Sequence, residues 1–182
     1  MVQSSDIVEA HGLKFQLMLS EAAIAQRVRE MALELQRDYA DKKPLLLGLL
    51  NGAFIFAADL VRQCTFPLEI SFVRVSSYDG LQSSGRLTTH FGPDLDLRGR
   101  HVLLVEDIID SGQTLHQFLP QLQSLQPASL RVAVLLVKPE ALECEVPLDY
   151  VGFEIPNKFV IGYGLDYDGL GRNLPGIYQL KE

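Results

Sequence analysis

The chain has 182 residues, 47% of them hydrophobic and 21% charged, with a formal net charge of -7. That length suits a domain able to bury its core without disulfides or a structural metal, and the acidic balance excludes a general nucleic-acid binder, whose footprint would be basic. Cys64 and Cys144 form no CxxC pattern and the four histidines show no ligand spacing. No apolar run approaches the ~20 residues that span a bilayer. Asp6 and Glu9 stand where a signal peptide would be basic, so a cytoplasmic protein without membrane attachment is expected.

Apolar runs alternate with helical patterns, which predicts an α/β fold with a central, mostly parallel sheet flanked by helices. Ser20 is placed to cap a helix running to about Tyr39, with Ile24, Val28, Met31 and Leu35 on one face. Pro44 to Leu50 is almost wholly apolar and reads as a strand buried on both faces. Asn51-Gly52, a helix from Ala53 to about Gln63, and a strand from Glu69 to Val75 come next. From Ser76 to Arg100 small polar residues dominate, and an insertion of that length is usually functional or disordered. His101 to Val105 is a further strand. Gly112 to Leu125 reads as a helix that Pro120 should kink or shorten. Leu130 to Val137, Tyr150 to Ile155 and Phe159 to Tyr163 complete the expected strands. No internal repeat is present.

The most informative stretch is VLLVEDIIDSGQT, Val102 to Thr114. An apolar strand ends in two adjacent carboxylates, Glu106 and Asp107; Asp110 follows, and Ser111-Gly112-Gln113-Thr114 leads into a helix. Ligands of open α/β sheets bind outside the carboxyl ends of strands. A small-residue turn entering a helix offers backbone N–H groups and the positive end of the helix dipole to an anion. Ser111 and Thr114 add hydroxyls, and Gly112 permits close approach. Carboxylates beside a phosphate cradle would repel the phosphate unless they hold something else, such as sugar hydroxyls, a divalent cation or a developing positive charge. The GxxxxGK[ST] pattern of nucleoside triphosphate hydrolases is missing. A plain solvated turn with Ser111 as a helix cap is the bland alternative.

VEDIIDSGQT closely resembles the phosphoribosyl-diphosphate binding motif of the type I phosphoribosyltransferases, most closely that of the hypoxanthine-guanine branch. The resemblance implies that Glu106 and Asp107 hold the ribose hydroxyls, directly or through Mg2+, and that Asp110, Ser111, Gly112, Gln113 and Thr114 bind the 5′-phosphate. It also places Asp110 near N7 of the base as general acid/base. Leu49 to Leu60 (LLNGAFIFAADL) resembles the pyrophosphate loop and its helix, with Asn51 and Gly52 as contacts and a cis peptide falling at Leu50–Asn51. Ser77-Tyr78 resembles the start of the mobile catalytic loop, about 76–91. Lys138 resembles the lysine that donates to the purine O6. Phe153 to Pro175 resembles the hood, which would be formed by the N-terminal residues and about 150–182. There Phe159 would stack on the base, the Val160 backbone would read its edge, Asp166 would approach the metal and pyrophosphate, and Arg172 would contact pyrophosphate. Mg2+ would be held by Glu106, Asp107 and Asp166.

Three positions depart from the family pattern. Asn51 stands where some relatives have lysine, Gln113 where lysine or leucine is common, and Glu140 to Glu143 where many carry arginines. The implied protein is a single domain, residues 1–182, with the type I phosphoribosyltransferase fold, a dimer or tetramer of identical chains acting in purine salvage. It would move the 5-phosphoribosyl group from phosphoribosyl diphosphate to N9 of hypoxanthine and/or guanine, giving IMP or GMP and pyrophosphate. Alternatives are a transferase for xanthine or a pyrimidine, and a catalytically silent regulator of the same fold that binds nucleotide or RNA. A flavodoxin-like receiver domain would also place acids at strand ends, but it explains neither the SGQT cradle nor the aromatic hood.

Overall fold

The computed structural model describes residues 6–77, 87–90 and 96–181. It opens on a hairpin of β1 (Ile7–Ala10) and β2 (Leu13–Leu19), turned by His11 and Gly12, both with positive φ. α1 (Glu21–Tyr39) begins as expected, with the Ser20 hydroxyl accepting from the Ala23 N–H at 3.2 Å. Its buried face, Ile24, Val28, Met31 and Leu35, follows the helical repeat. Arg27 on the same helix donates to the carbonyls of Val151 and Gly152 and so ties α1 to the sheet edge.

The large sheet starts with β3 (Leu45–Leu50), whose apolar run is buried as the composition required. α2 (Phe54–Gln63), β4 (Glu69–Ser77) and β5 (Leu87–His90) follow. β5 lies within the polar insertion and pairs antiparallel with β4. Then come β6 (His101–Ile109), α3 (Gln113–Ser124), β7 (Ser129–Val137) and β8 (Tyr150–Glu154). The strand order is β5-β4-β3-β6-β7-β8, with every pair parallel except β4–β5. From β3 the chain first steps out to β4, then crosses back to β6 on the other side of β3. The order therefore reverses between β3 and β6, where a doubly wound sheet opens its ligand crevice.

One boundary differs from expectation. β6 does not stop at Val105 but runs through both acids to Ile109, because β7 continues to pair with it after β3 has parted at Gly48–Val105. Pro120 lies inside α3 yet does not end it; the packing of Leu115, Phe118 and Leu122 offsets the ~3 kcal/mol that an internal proline costs.

A second sheet, β1-β2-β10-β9, is built from β9 (Val160–Ile161), β10 (Ile177–Leu180) and the N-terminal hairpin, around Phe15, Ile161 and Tyr178. It forms a small hood beside the large sheet. The expected strand from Phe159 to Tyr163 is cut to two residues because Gly162, Tyr163 and Gly164 all have positive φ and turn the chain aside. β8, drawn from the same C-terminal stretch, joins the large sheet instead.

Candidate active site

The crevice between β3 and β6 is closed at its base by a glycine. After β3 the Leu50–Asn51 peptide is cis, and Gly52 lies so near β6 that a Cβ there would stand 1.5 Å from Asp107 Oδ2. Any other residue there would force the loop or the Asp107 carboxylate to shift. Glu106 and Asp107 are 6% and 8% exposed. As strand neighbours they face different ways: Glu106 lines the cavity in front of α3, and Asp107 abuts Gly52. Each is steadied by a local hydrogen bond, the Asp107 N–H donating to Glu106 Oε1 and the Ile108 N–H to Asp107 Oδ1. Burial, and then the charge of Asp107, hold the Glu106 carboxyl well above the usual carboxylate range. Among the described residues neither acid has a lysine or arginine partner. Two desolvated oxygen donors without a counter-charge suit a hard divalent cation or sugar hydroxyls.

The anion cradle follows at once. A cavity of about 220 Å³ is lined by Glu106, Asp110, Ser111, Gly112 and Thr114. Gly112 caps α3 in the left-handed conformation, φ 80°, and the first-turn N–H groups of the helix open onto the cavity with its positive dipole end. The back of this loop is braced by the acidic segment Glu140 to Glu143. The Glu143 N–H donates to the Ser111 carbonyl at 3.0 Å, and the Gln113 side-chain amide donates to Glu143 Oε2 at 3.2 Å. Gln113 thus turns its side chain away and leaves its backbone to the cradle.

Lys138 follows β7 directly, its N–H donating to the Ile109 carbonyl, so the ends of β6 and β7 are level. Its side chain is nearly buried, and its Nζ donates to Asp110 Oδ2 at 2.6 Å. In the hood Phe159 is 45% exposed, just before β9, with Val160 buried beside it. The Phe159 ring meets Tyr167 edge-on at 5.5 Å and Phe15 at 6.2 Å. Asp166 and Arg172 pair with each other at 2.7 Å; Arg172 also donates to the Gly164 carbonyl, and Asp166 accepts from the Gly169 N–H. A Cβ on Gly164 would in turn stand 2.1 Å from the Gly52 carbonyl oxygen, so the hood turn rests on the loop after β3.

The structure therefore brings Glu106, Asp107, Asp110, Ser111, Gly112, Thr114 and Lys138 together at the ends of β6 and β7, with Asn51 and Gly52 at the end of β3. It does not gather Glu106, Asp107 and Asp166 into one metal cluster: among the described residues no three acid, histidine or cysteine side chains converge as metal ligands. Of the expected catalytic loop, about 76–91, Ser76 and Ser77 end β4 and Leu87–His90 form β5, so its ends are strand; Tyr78 and the rest lie outside the described residues, as does the side chain of Ser77. Sequence reading missed Glu143, Tyr167 and Gly164. Only the last left a signal, in the glycine pair flanking Tyr163.

Residues 18–168 match the phosphoribosyl transferase domain. The chain belongs to that family. A hypoxanthine-guanine phosphoribosyltransferase of Aquifex aeolicus is 42% identical over 176 residues, 96% of this chain and 99% of its own. A hypoxanthine-guanine-xanthine phosphoribosyltransferase of Tritrichomonas foetus is 43% identical over 91% of each chain. Among solved structures, a hypoxanthine phosphoribosyltransferase from Staphylococcus aureus superposes with a TM-score of 0.86 at 36% identity, covering 97% of this chain and 92% of the other. A hypoxanthine-guanine phosphoribosyltransferase from Bacillus anthracis gives 0.84 at 35%, over 92% and 97%. The fold of this phosphoribosyltransferase is thus the type I fold, and the crevice at the β3–β6 switch point is the place where its family resemblance and its geometry coincide.

Proposed function

We propose that this phosphoribosyltransferase transfers the 5-phosphoribosyl group of phosphoribosyl diphosphate to N9 of hypoxanthine and/or guanine, in purine salvage. The observation that carries this reading is the Lys138–Asp110 pair beside the phosphate cradle. A buried ammonium and a half-exposed carboxylate at the ends of neighbouring strands offer one donor and one proton acceptor on the same side. A 6-oxopurine presents O6 and N7 in that same order along one edge. Phe159, exposed in the hood, offers a ring on which the base stacks.

The 5′-phosphate sits on the N-terminal backbone of α3, from Ser111 to Thr114. Displacement at the anomeric carbon passes through an oxocarbenium-like state, and the carboxyl oxygens of Glu106 and Asp107 stabilise that positive charge electrostatically. Asp110 holds or takes the proton at N7 while N9 attacks. Asn51, Gly52 and Arg172 orient the departing pyrophosphate. Glu106 and Asp107 would hold Mg2+, with Asp166 on the pyrophosphate side, and the ion would neutralise the charge of the leaving group. Family membership also supports a cytoplasmic dimer or tetramer of identical chains. No described helix is long and apolar enough to cross a membrane. No observation favours the silent-regulator reading.

The test is pyrophosphate release from phosphoribosyl diphosphate with Mg2+ and, in turn, hypoxanthine, guanine, xanthine, adenine and uracil. Release with hypoxanthine or guanine and none with adenine or uracil is expected. Release with no base, or with uracil alone, would overturn the reading.

A further inference from the structure

The contact between the hood and the loop after β3 is made by two bare backbones, Gly164 against the Gly52 carbonyl. Such a contact gives dispersion attraction but little directional preference, since nothing on either loop interlocks. A directional contact lies one residue away. Tyr163 holds a φ of 48°, a conformation that bulky residues rarely adopt. Its side chain leaves the substrate side, is buried, and reaches α2, where the hydroxyl donates to Asp59 Oδ2 at 2.7 Å. α2 is the helix that begins just after Asn51 and Gly52. On the hood side Arg172 donates to the Gly164 carbonyl and pairs with Asp166. A continuous series of contacts therefore runs from α2 through Asp59, Tyr163 and Gly164 to Arg172 and Asp166.

We propose that the Tyr163–Asp59 hydrogen bond is a positioning contact that fixes the hood residues Asp166 and Arg172 relative to the Asn51–Gly52 loop and thereby sets affinity for the pyrophosphate end of the substrate. The inference rests on the function proposed above, and neither residue touches substrate. Burial, together with the bond to Asp59, pushes the Tyr163 phenol well above its ordinary range, so it remains a donor throughout neutral and mildly alkaline pH. The left-handed backbone of Tyr163 is consistent with this role: the surroundings hold it in a conformation that its side chain alone disfavours.

The experiment is calorimetric titration of the whole chain with inorganic pyrophosphate and Mg2+, alongside KM for phosphoribosyl diphosphate and for hypoxanthine. Tyr163→Phe removes one oxygen and keeps the packing; Asp59→Ala removes the acceptor; Asp59→Asn retains an acceptor oxygen. Loss of one buried hydrogen bond predicts about a five- to tenfold weakening of pyrophosphate binding in Y163F and in D59A, with KM for hypoxanthine within about twofold. The double variant should be no weaker than the worse single one, and D59N should recover most of the affinity. Y163F binding pyrophosphate like wild type while melting at a lower temperature would make the bond merely structural and overturn the inference. Additive losses in the double variant would overturn it too. A wild-type chain that binds no pyrophosphate removes the reading of the loop itself and the inference with it, whereas a binding wild type with an unaffected Y163F removes the inference alone.

Discussion

Lys138 Nζ lies 2.6 Å from Asp110 Oδ2, the ammonium nearly buried and the carboxylate half exposed. A buried charge is tolerated only when paired. Here the pairing joins the group assigned to the base's O6 to the group assigned to its N7, so neither is free until a base arrives to share them. Lys138→Gln should therefore lower kcat/KM for hypoxanthine by about 1.5–3 kcal/mol, on the order of 10- to 100-fold, the value of a charge-assisted hydrogen bond. KM for phosphoribosyl diphosphate should change little. Steady-state kinetics with each substrate varied would check this, and an equal loss for both substrates would contradict the assignment.

Asp110→Asn keeps the shape of the side chain and its bond to Lys138 but removes the proton acceptor. Turnover should fall about 10²- to 10⁴-fold, the usual range for a lost acid/base group. Binding of phosphoribosyl diphosphate should stay within a few-fold. Unchanged turnover would remove the proton role from Asp110.

Gly52→Ala would place a methyl group where Asp107 Oδ2 now stands, 1.5 Å away. Either the loop or the carboxylate must shift, and both belong to the site. A displacement of about 1 Å near a reacting centre costs on the order of 100-fold in rate. The expected result is that loss of kcat/KM together with an unchanged far-ultraviolet circular dichroism spectrum.

At the opposite end of the sheet Asp38 accepts from Tyr150 and Arg131. The Tyr150 hydroxyl chiefly, and Arg131 with it, hold the Asp38 carboxyl below its ordinary value against the opposing effect of burial. A carboxyl with a lowered folded pKa binds fewer protons folded than unfolded, so its stabilising effect is present above the ordinary aspartate range, about pH 4. It is lost as pH falls through the lower folded value. Asp38→Asn should flatten the melting temperature against pH below about pH 4 without changing the profile near neutrality. The same acid dependence in D38N and wild type would show that another group controls that limb.

How much of this was legible in the sequence depends on how local each signal is. The apolar runs at Leu45–Leu50 and in β7, and the Ser20 cap, are local, and they form the elements expected of them. The order Val105-Glu106-Asp107 looks like a strand ending in a turn. It is instead a strand losing one neighbour and keeping the other, and that depends on β7 some thirty residues on. The hairpin at His11-Gly12 lacks the Asn-Gly signature that would have marked it. The cradle's residues could be named from their motif, but its brace at Glu143 and the Tyr163–Asp59 bond join segments 30 and 104 residues apart. Such pairings follow from topology, which a single sequence does not display.

The central claim is the joining of a 6-oxopurine to ribose 5-phosphate. It is tested most directly by incubating the chain with Mg2+, phosphoribosyl diphosphate and hypoxanthine or guanine, then identifying the product by mass and by nuclear magnetic resonance of its glycosidic bond. The account predicts IMP or GMP, linked through N9, in equal amount to the pyrophosphate released. Pyrophosphate released without nucleotide, or no reaction with either base, would contradict it.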